Sequence, residues 1–391
     1  MSIASTRARL VALCFGNFVI GTGTLIVPGM LPALAQGLGV TLPEAGHLIS
    51  AFAFTICIGA PLLAGATSRV DRRVLLASMQ LLFCAGHAAA ALAPSYLPLL
   101  AIRVVTSVGA ALFTAQAAAT CGLLVPPAQR GRAIAFVFLG WSVASVAGMP
   151  LGAYVGETLG WRAGFAIVAA GALVAAAAVW LCLPGGLKTA PIDRSMWRKL
   201  FTDPVMLAVI AVTAVQAGAQ FVSLAYVVPA MKAFTGAAAG TISAALAAFG
   251  LAGVAGNAAA GRLIDRHGAA TVVLGCMLCM LASHLLWPFS QGSLAVVAAS
   301  LLVWGLGCFA ANSAQQARLA GLSPALAPVS IAFNTSAIYL GQGGGAALGG
   351  LALGAAPDAA RYAALSWISV PMFVAAIGLS LAAKRRAPVR S

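Results

Sequence analysis

Long apolar runs recur along this chain with only short turns between them. Many reach 18 residues or more, enough for one helix to cross a hydrocarbon layer of roughly 30 Å. Of the 391 residues, 62% are hydrophobic and 7% charged. A soluble domain with so few charges could neither bury that much apolar surface nor stay dispersed. The expected fold is therefore an all-α membrane protein of twelve transmembrane helices. The longest polar stretch, 185–203, divides the chain into a first six-helix bundle over 1–184 and a second over 204–391. Within that stretch, Trp197, Arg198, Lys199 and Leu200 suit a short helix on the membrane surface.

A net charge of +15 raises the question of nucleic acid, which the placement of the charges answers. Arg7 and Arg9 precede the first span, Arg69, Arg72 and Arg73 follow the second, and Arg130 and Arg132 follow the fourth. Lys188, Arg194, Arg198 and Lys199 fill the central linker, Arg262 and Arg266 follow the eighth span, and Lys384, Arg385, Arg386 and Arg390 close the chain. The alternate turns hold only Arg162, Lys232 and Arg361. This is the positive-inside pattern, with both termini cytoplasmic, and not a nucleic-acid surface. The eight cysteines fall in or at the edges of apolar runs, so a disulfide framework is not expected, and Cys276-x-x-Cys279 reads as packing. The first apolar run is too long for a signal-peptide core and continues as a span. Alanine-rich composition and compact loops suggest a bacterial chain.

One charged stretch organises the reading: Gly261-Arg262-Leu263-Ile264-Asp265-Arg266-His267-Gly268, expected as a tight loop between spans at 238–261 and 269–288. A second copy lies at Ala64 to Arg73, with Ser68 aligned to Asp265 at an offset of 197 residues, which also carries His87 onto His284. Repetition at half length is the mark of a two-repeat transporter. The pattern Gly-x-Leu-x-Asp-Arg-x-Gly resembles the loop motif of the major facilitator superfamily. The resemblance implies two pseudo-symmetric six-helix bundles around a central cavity, working by alternating access. It also implies that Ser68, Arg69, Gly261, Asp265, Arg266 and Gly268 belong to the conformational switch.

Other stretches carry the same resemblance. Gly148-Met149-Pro150-Leu151-Gly152 resembles the antiporter motif of exporters in the superfamily, although glycines also serve plain helix packing. Gly21-Thr22-Gly23-Thr24 with Pro28 resembles the first span of drug/proton antiporters and sugar-efflux permeases. Arg103 to Gly109 resembles the fourth-span motif whose arginine is linked to proton coupling; Arg103 could equally snorkel to headgroups. Polar residues at helical spacing mark one face on each of four spans: Asn17 and Thr24; Arg103 and Thr114; Gln216 and Gln220; Asn312 and Gln316. The family places those spans around the cavity, so these residues are expected to contact substrate. Asn334 and Gln342, in the glycine-rich eleventh span, are either substrate contacts or packing groups.

The chain departs from the pattern in its acids. Glu44, Asp71, Glu157, Asp193, Asp203, Asp265 and Asp358 are the seven acids, and none falls deep in a predicted span. A proton antiporter needs a titrating group near its cavity. Glu44 with His47, one turn apart, and Arg103 are the remaining candidates, with His87 and His284 read as structural. The alternative is a carrier without proton coupling. No nucleotide loop, metal-ligand cluster or nucleophile–base pair appears, so neither enzyme chemistry nor a cofactor or metal is expected. The expected partners are a small-molecule substrate, protons and the lipid bilayer, with the chain acting as a monomer.

Overall fold

A computed structural model describes residues 3–67, 69–126, 129–188 and 194–386. Among these the chain is helical, with no strand: α1 (Ile3–Gly29), α2 (Leu31–Leu38), α3 (Leu42–Ala66), α4 (Arg72–Ala91), α5 (Tyr96–Leu124), α6 (Arg130–Thr158), α7 (Trp161–Cys182), α8 (Arg194–Thr202), α9 (Pro204–Leu224), α10 (Val227–Thr235), α11 (Ala239–His267), α12 (Ala269–Leu286), α13 (Leu294–Leu322), α14 (Ala327–Leu353), α15 (Ala359–Ala364) and α16 (Ser366–Arg386). Among the described residues, eleven helices or helix pairs are long and apolar enough to cross a membrane. A twelfth, α14, is as long as the others, but its glycines, Asn334, Thr335, Ser336 and Gln342 dilute its hydropathy. The all-helical solution follows from the solvent, because hydrocarbon offers no partner to an open backbone group.

Two compact units divide the chain: Met1–Val40 with Ala51–Ile192, and Thr41–Ser50 with Asp193–Ser391. In the first, glycines on α6 let α1 approach to backbone contact. A Cβ at Gly152 would run into the Ile26 carbonyl, one at Gly140 into the Cys14 carbonyl, and one at Gly148 would lie 3.0 Å from Leu25. The second unit repeats the device between α9 and α14. There a Cβ at Gly345 would strike the Gly218 carbonyl and one at Gly349 the Val222 carbonyl. Gly345 and Gly349 lie 197 residues beyond Gly148 and Gly152, so the repeat seen in the loops also governs helix packing.

Two elements differ from the sequence expectation. The charged stretch from Gly261 to His267 is not a loop: α11 runs through it, and the turn is Gly268 alone, at φ +79°. No proline precedes Gly268 in the stretch, and the cation Arg266 suits a helix C-terminus. Second, Glu44 with Thr41 forms the first turn of α3. Thr41 donates to Glu44 Oε2 from its backbone N (2.7 Å) and its hydroxyl (2.8 Å), and the Glu44 N–H donates back to Thr41 Oγ1 at 3.3 Å. This is a reciprocal helix cap of the Thr-x-x-Glu kind. The surface helix expected near Trp197 is α8. It is anchored through Trp197 and Phe201, whose rings lie 6.3 and 5.2 Å from that of Phe333 on α14. All eight cysteines are free thiols.

Candidate functional site

In the first unit the polar centre is Arg103 on α5, only 1% exposed. Its guanidinium lies over the Phe52 ring at 4.0 Å and reaches toward the Gly23 carbonyl of α1 at 3.5 Å. Its Nε has no partner, and no carboxylate stands among its described contacts. A cation held by a ring and a distant carbonyl is only partly compensated for its lost water.

His87 on α4 joins the same centre, a placement that sequence reasoning missed. Its Nδ1 lies 2.9 Å from the Phe83 carbonyl, and its ring packs on Phe83 and Phe165 at 4.2 and 5.8 Å. A carbonyl only accepts, so Nδ1 carries the proton and the neutral ring presents a bare Nε2. That Nε2 has no partner and would lie 2.9 Å from a Cβ at Gly23, which would also touch Phe83. Gly23 is thus the meeting point of Arg103 and His87, and any side chain there would separate them from α1.

The other first-unit candidates sort by burial. Asn17 is fully buried, with Nδ2 donating to the Val137 carbonyl of α6 at 3.2 Å; it serves the α1–α6 contact, with Oδ1 left unpartnered. Thr24 is half-buried and bonds back to the Ile20 carbonyl at 2.9 Å. Thr114 is half-buried and faces Trp141 Nε1 at 3.4 Å. Pro150 lies buried inside α6 and removes one backbone bond there.

In the second unit the polar residues join three helices. Thr213 on α9 donates to Asn334 Oδ1 on α14 at 2.6 Å, and Gln315 on α13 donates to Thr213 Oγ1 (3.1 Å) and the Val209 carbonyl (3.0 Å). Gln220 accepts from Trp304 Nε1 at 3.2 Å. Trp304 in turn packs on His284 at 4.5 Å, whose Nδ1 meets the Met280 carbonyl at 2.8 Å as His87 meets Phe83. Gln216 is 2% exposed with Oε1 unpartnered, and Asn334 Nδ2 and Gln315 Oε1 are likewise unpartnered. Buried amide groups left open inside a membrane bundle are costly, so these are the groups positioned to take water or a ligand. Asn312, Gln316 and Gln342 are half-buried.

The loop candidates differ between the copies. Ser68 lies outside the described residues, and Arg69 is exposed. The first-copy acid that makes contacts is Asp71, the cap of α4. It accepts from the backbone N–H groups of Arg73 (2.9 Å) and Val74 (3.3 Å), and from that of Gly186. Arg72 beside it is buried, donating to Gln116 Oε1 at 2.7 Å, while its backbone N–H donates to the Leu187 carbonyl at 2.9 Å. Asp71 and Arg72 therefore pin the segment that follows α7. In the second copy Gly261, Asp265 and Arg266 are exposed on the last turns of α11. Glu44 and His47 are exposed at the start of α3, where Glu44 is committed to its cap.

Comparisons with known proteins agree with this architecture. A family model described as Major Facilitator Superfamily matches residues 13–234. The chain is 31% identical over 346 residues to the inner membrane transport protein YdhP of Escherichia coli (strain K12), covering 88% of this chain and 89% of that one. It is 38% identical over 283 residues to the chloramphenicol resistance protein of Streptomyces lividans, covering 71% and 70%. Among solved structures, a bacterial homologue of the human lysosomal transporter Spinster, inward-facing and unoccupied, superposes with TM-score 0.80 at 16% identity, over 99% of this chain and 98% of that one. A D-xylose–proton symporter superposes with TM-score 0.76 at 18% identity, over 97% and 98%. These two likenesses concern the fold.

Proposed function

The chain belongs to the major facilitator superfamily, and we propose that it exports a small uncharged or anionic organic molecule across a bacterial inner membrane in exchange for protons. It is a multi-pass membrane transporter and not an enzyme. The observation that carries the finer reading is Arg103, a buried guanidinium with no carboxylate partner among the described residues. A cationic substrate entering near it would meet repulsion in a medium of low dielectric, whereas a neutral or anionic one would not. Arg103, Thr24 and Thr114 in the first unit, and Gln216, Gln220, Asn312, Gln316, Asn334 and Gln342 in the second, are the proposed contacts along the substrate path. Export is supported by the Gly148, Pro150 and Gly152 stretch of α6 and by the name of the Streptomyces relative, a chloramphenicol resistance protein. The basic turns favour an orientation with both termini in the cytoplasm, and the chain is proposed to act as a monomer by alternating access.

A second reading, a carrier without proton coupling, is favoured by Glu44, whose carboxylate caps α3. Uptake into proteoliposomes with and without an imposed pH gradient separates the two. The panel is chloramphenicol, an anionic aromatic acid and a lipophilic cation. Gradient-driven accumulation of chloramphenicol or the acid, with exclusion of the cation, is the expected result. Equilibration without accumulation would leave the uncoupled carrier, and preferential transport of the cation would overturn the substrate assignment.

A further inference from the structure

The second unit contains two adjoining hollows that the transport reading does not use. The first, about 310 Å³, lies at the basic end of the bundle, lined by His267, Arg318, Lys384 and the first residues of α12. Arg318 is nearly buried, and α16 fixes its guanidinium in place: Nη1 donates to Ser380 Oγ at 2.8 Å and Nη2 to the Ser380 carbonyl at 3.1 Å. Among the described residues no acidic side chain lines this hollow, and Asp265, two residues from His267, is not part of its wall. The second hollow, about 370 Å³, is apolar and lies between α11, α12 and α13, with Leu263, Gly275, Cys279 and Leu306 in its wall. His267 and Thr271 line both, so the two hollows share a wall.

The direction of the second hollow identifies its occupant. Thr271, Gly275 and Cys279 form one stripe on α12, each four residues further from the basic end. They span roughly 12 Å of helix at 1.5 Å per residue. A Cβ at Gly275, or at Gly321 in the first hollow, would meet nothing within 4 Å, so both positions open onto free space. The combined shape is a cationic mouth at the membrane edge with an apolar groove descending from it. Free phosphate would satisfy the mouth alone, and a zwitterionic lipid would bring an ammonium into a wall that already holds Arg318, Lys384 and His267. We propose that this is a binding site for an anionic phospholipid, its phosphate against Arg318, Lys384 and His267 and one acyl chain along Thr271, Gly275 and Cys279.

The test uses the full-length protein, delipidated in detergent and exposed in turn to phosphatidylglycerol, phosphatidylcholine of the same acyl chains, and inorganic phosphate, with retained adducts counted by native mass spectrometry. Phosphatidylglycerol is expected to be retained several-fold over phosphatidylcholine. Replacing the exposed Lys384 by alanine should lower that preference by about fivefold, the effect of one positive charge lost, and His267→Ala should lower it further by removing a hydrogen-bonding group from the mouth. Gly275→Leu, which fills the groove and leaves the mouth intact, should reduce retention of phosphatidylglycerol while leaving the basic residues in place. Equal retention of the two lipids by the parent, or indifference to all three substitutions, would overturn the assignment. Displacement of phosphatidylglycerol by millimolar inorganic phosphate would reduce the site to a free-anion site and also overturn it.

Discussion

Replacing Arg103 by methionine is expected to stabilise the protein while abolishing transport. The magnitude follows from the contacts. An arginine at the centre of a membrane helix costs about 2.5–3.5 kcal/mol on insertion scales, an upper bound for Arg103, which lies in the first third of α5. Against that stands the Phe52 ring at 4.0 Å, about 2 kcal/mol for a desolvated cation–π pair. The Gly23 carbonyl at 3.5 Å is beyond ordinary hydrogen-bond length and returns little. The balance favours removal by no more than about 1 kcal/mol, since methionine fills a similar volume without a charge. Thermal unfolding of the purified protein should therefore show an equal or higher midpoint for Arg103→Met, with uptake into proteoliposomes lost. Arg103→Lys provides the control. It keeps the charge but gives up the planar stack on Phe52, so it should unfold at a lower temperature than the parent. Loss of more than about 2 kcal/mol in Arg103→Met would show that the arginine holds the bundle together, and the reasoning would fail.

The remaining predictions concern the packing, the caps and the open amides. Gly152→Val and Gly349→Val should each cost about 1–3 kcal/mol, because both force a side chain against a backbone carbonyl; a midpoint unchanged in either would mean that the helices part freely. Glu44→Gln should keep both the cap and gradient-driven transport, whereas Glu44→Ala should lower the unfolding midpoint; loss of coupling in Glu44→Gln with an unchanged midpoint would return Glu44 to the proton path. Asp71→Ala removes the acceptor of three backbone N–H groups and should destabilise by about 1 kcal/mol, while Asp265→Asn, on an exposed turn, should leave the midpoint alone and slow transport. Gln216→Leu should raise stability slightly, since its Oε1 is buried and unpartnered, and should weaken substrate competition in an uptake assay.

Much of the fold was legible because apolar length and charge placement are dictated by the bilayer itself. The misreadings came from local chemistry that hydropathy does not register. The Gly261–His267 stretch is polar enough to resemble a loop, yet every residue before Gly268 tolerates a helix, so α11 runs on to His267. Sequence reasoning takes Glu44 only as an acid beside a histidine and misses its part in the first turn of α3. Thr41 three residues earlier was the available signal that it is a cap. The site was legible as residue types and helix faces but not as partners. Asn17 and Gln216 are both amides and both keep an open oxygen, but Asn17 also donates to the Val137 carbonyl across a glycine-built contact, a partner that residue type and spacing do not reveal.

The half-length repeat separates what packing requires from what function requires. Two bundles built on one plan must solve the same packing problem, so shared positions report the plan. Gly148 and Gly152 recur as Gly345 and Gly349, and His87 recurs as His284 with the same Nδ1 contact to the carbonyl four residues earlier. Where the copies part, packing is not the reason. The residue 197 places beyond Arg103 is Ser300, which bonds to the Ser283 carbonyl at 3.0 Å and carries no charge. The residue 197 places beyond Gly23 is Gln220, which accepts from Trp304. The histidine is thus common to both bundles, but the first places a cation beside a glycine where the second has the neutral hydrogen-bonding groups Ser300 and Gln220. A scaffold that tolerates serine at this position has no structural need for arginine. The cost of burying Arg103 is what its proposed place on the substrate path accounts for.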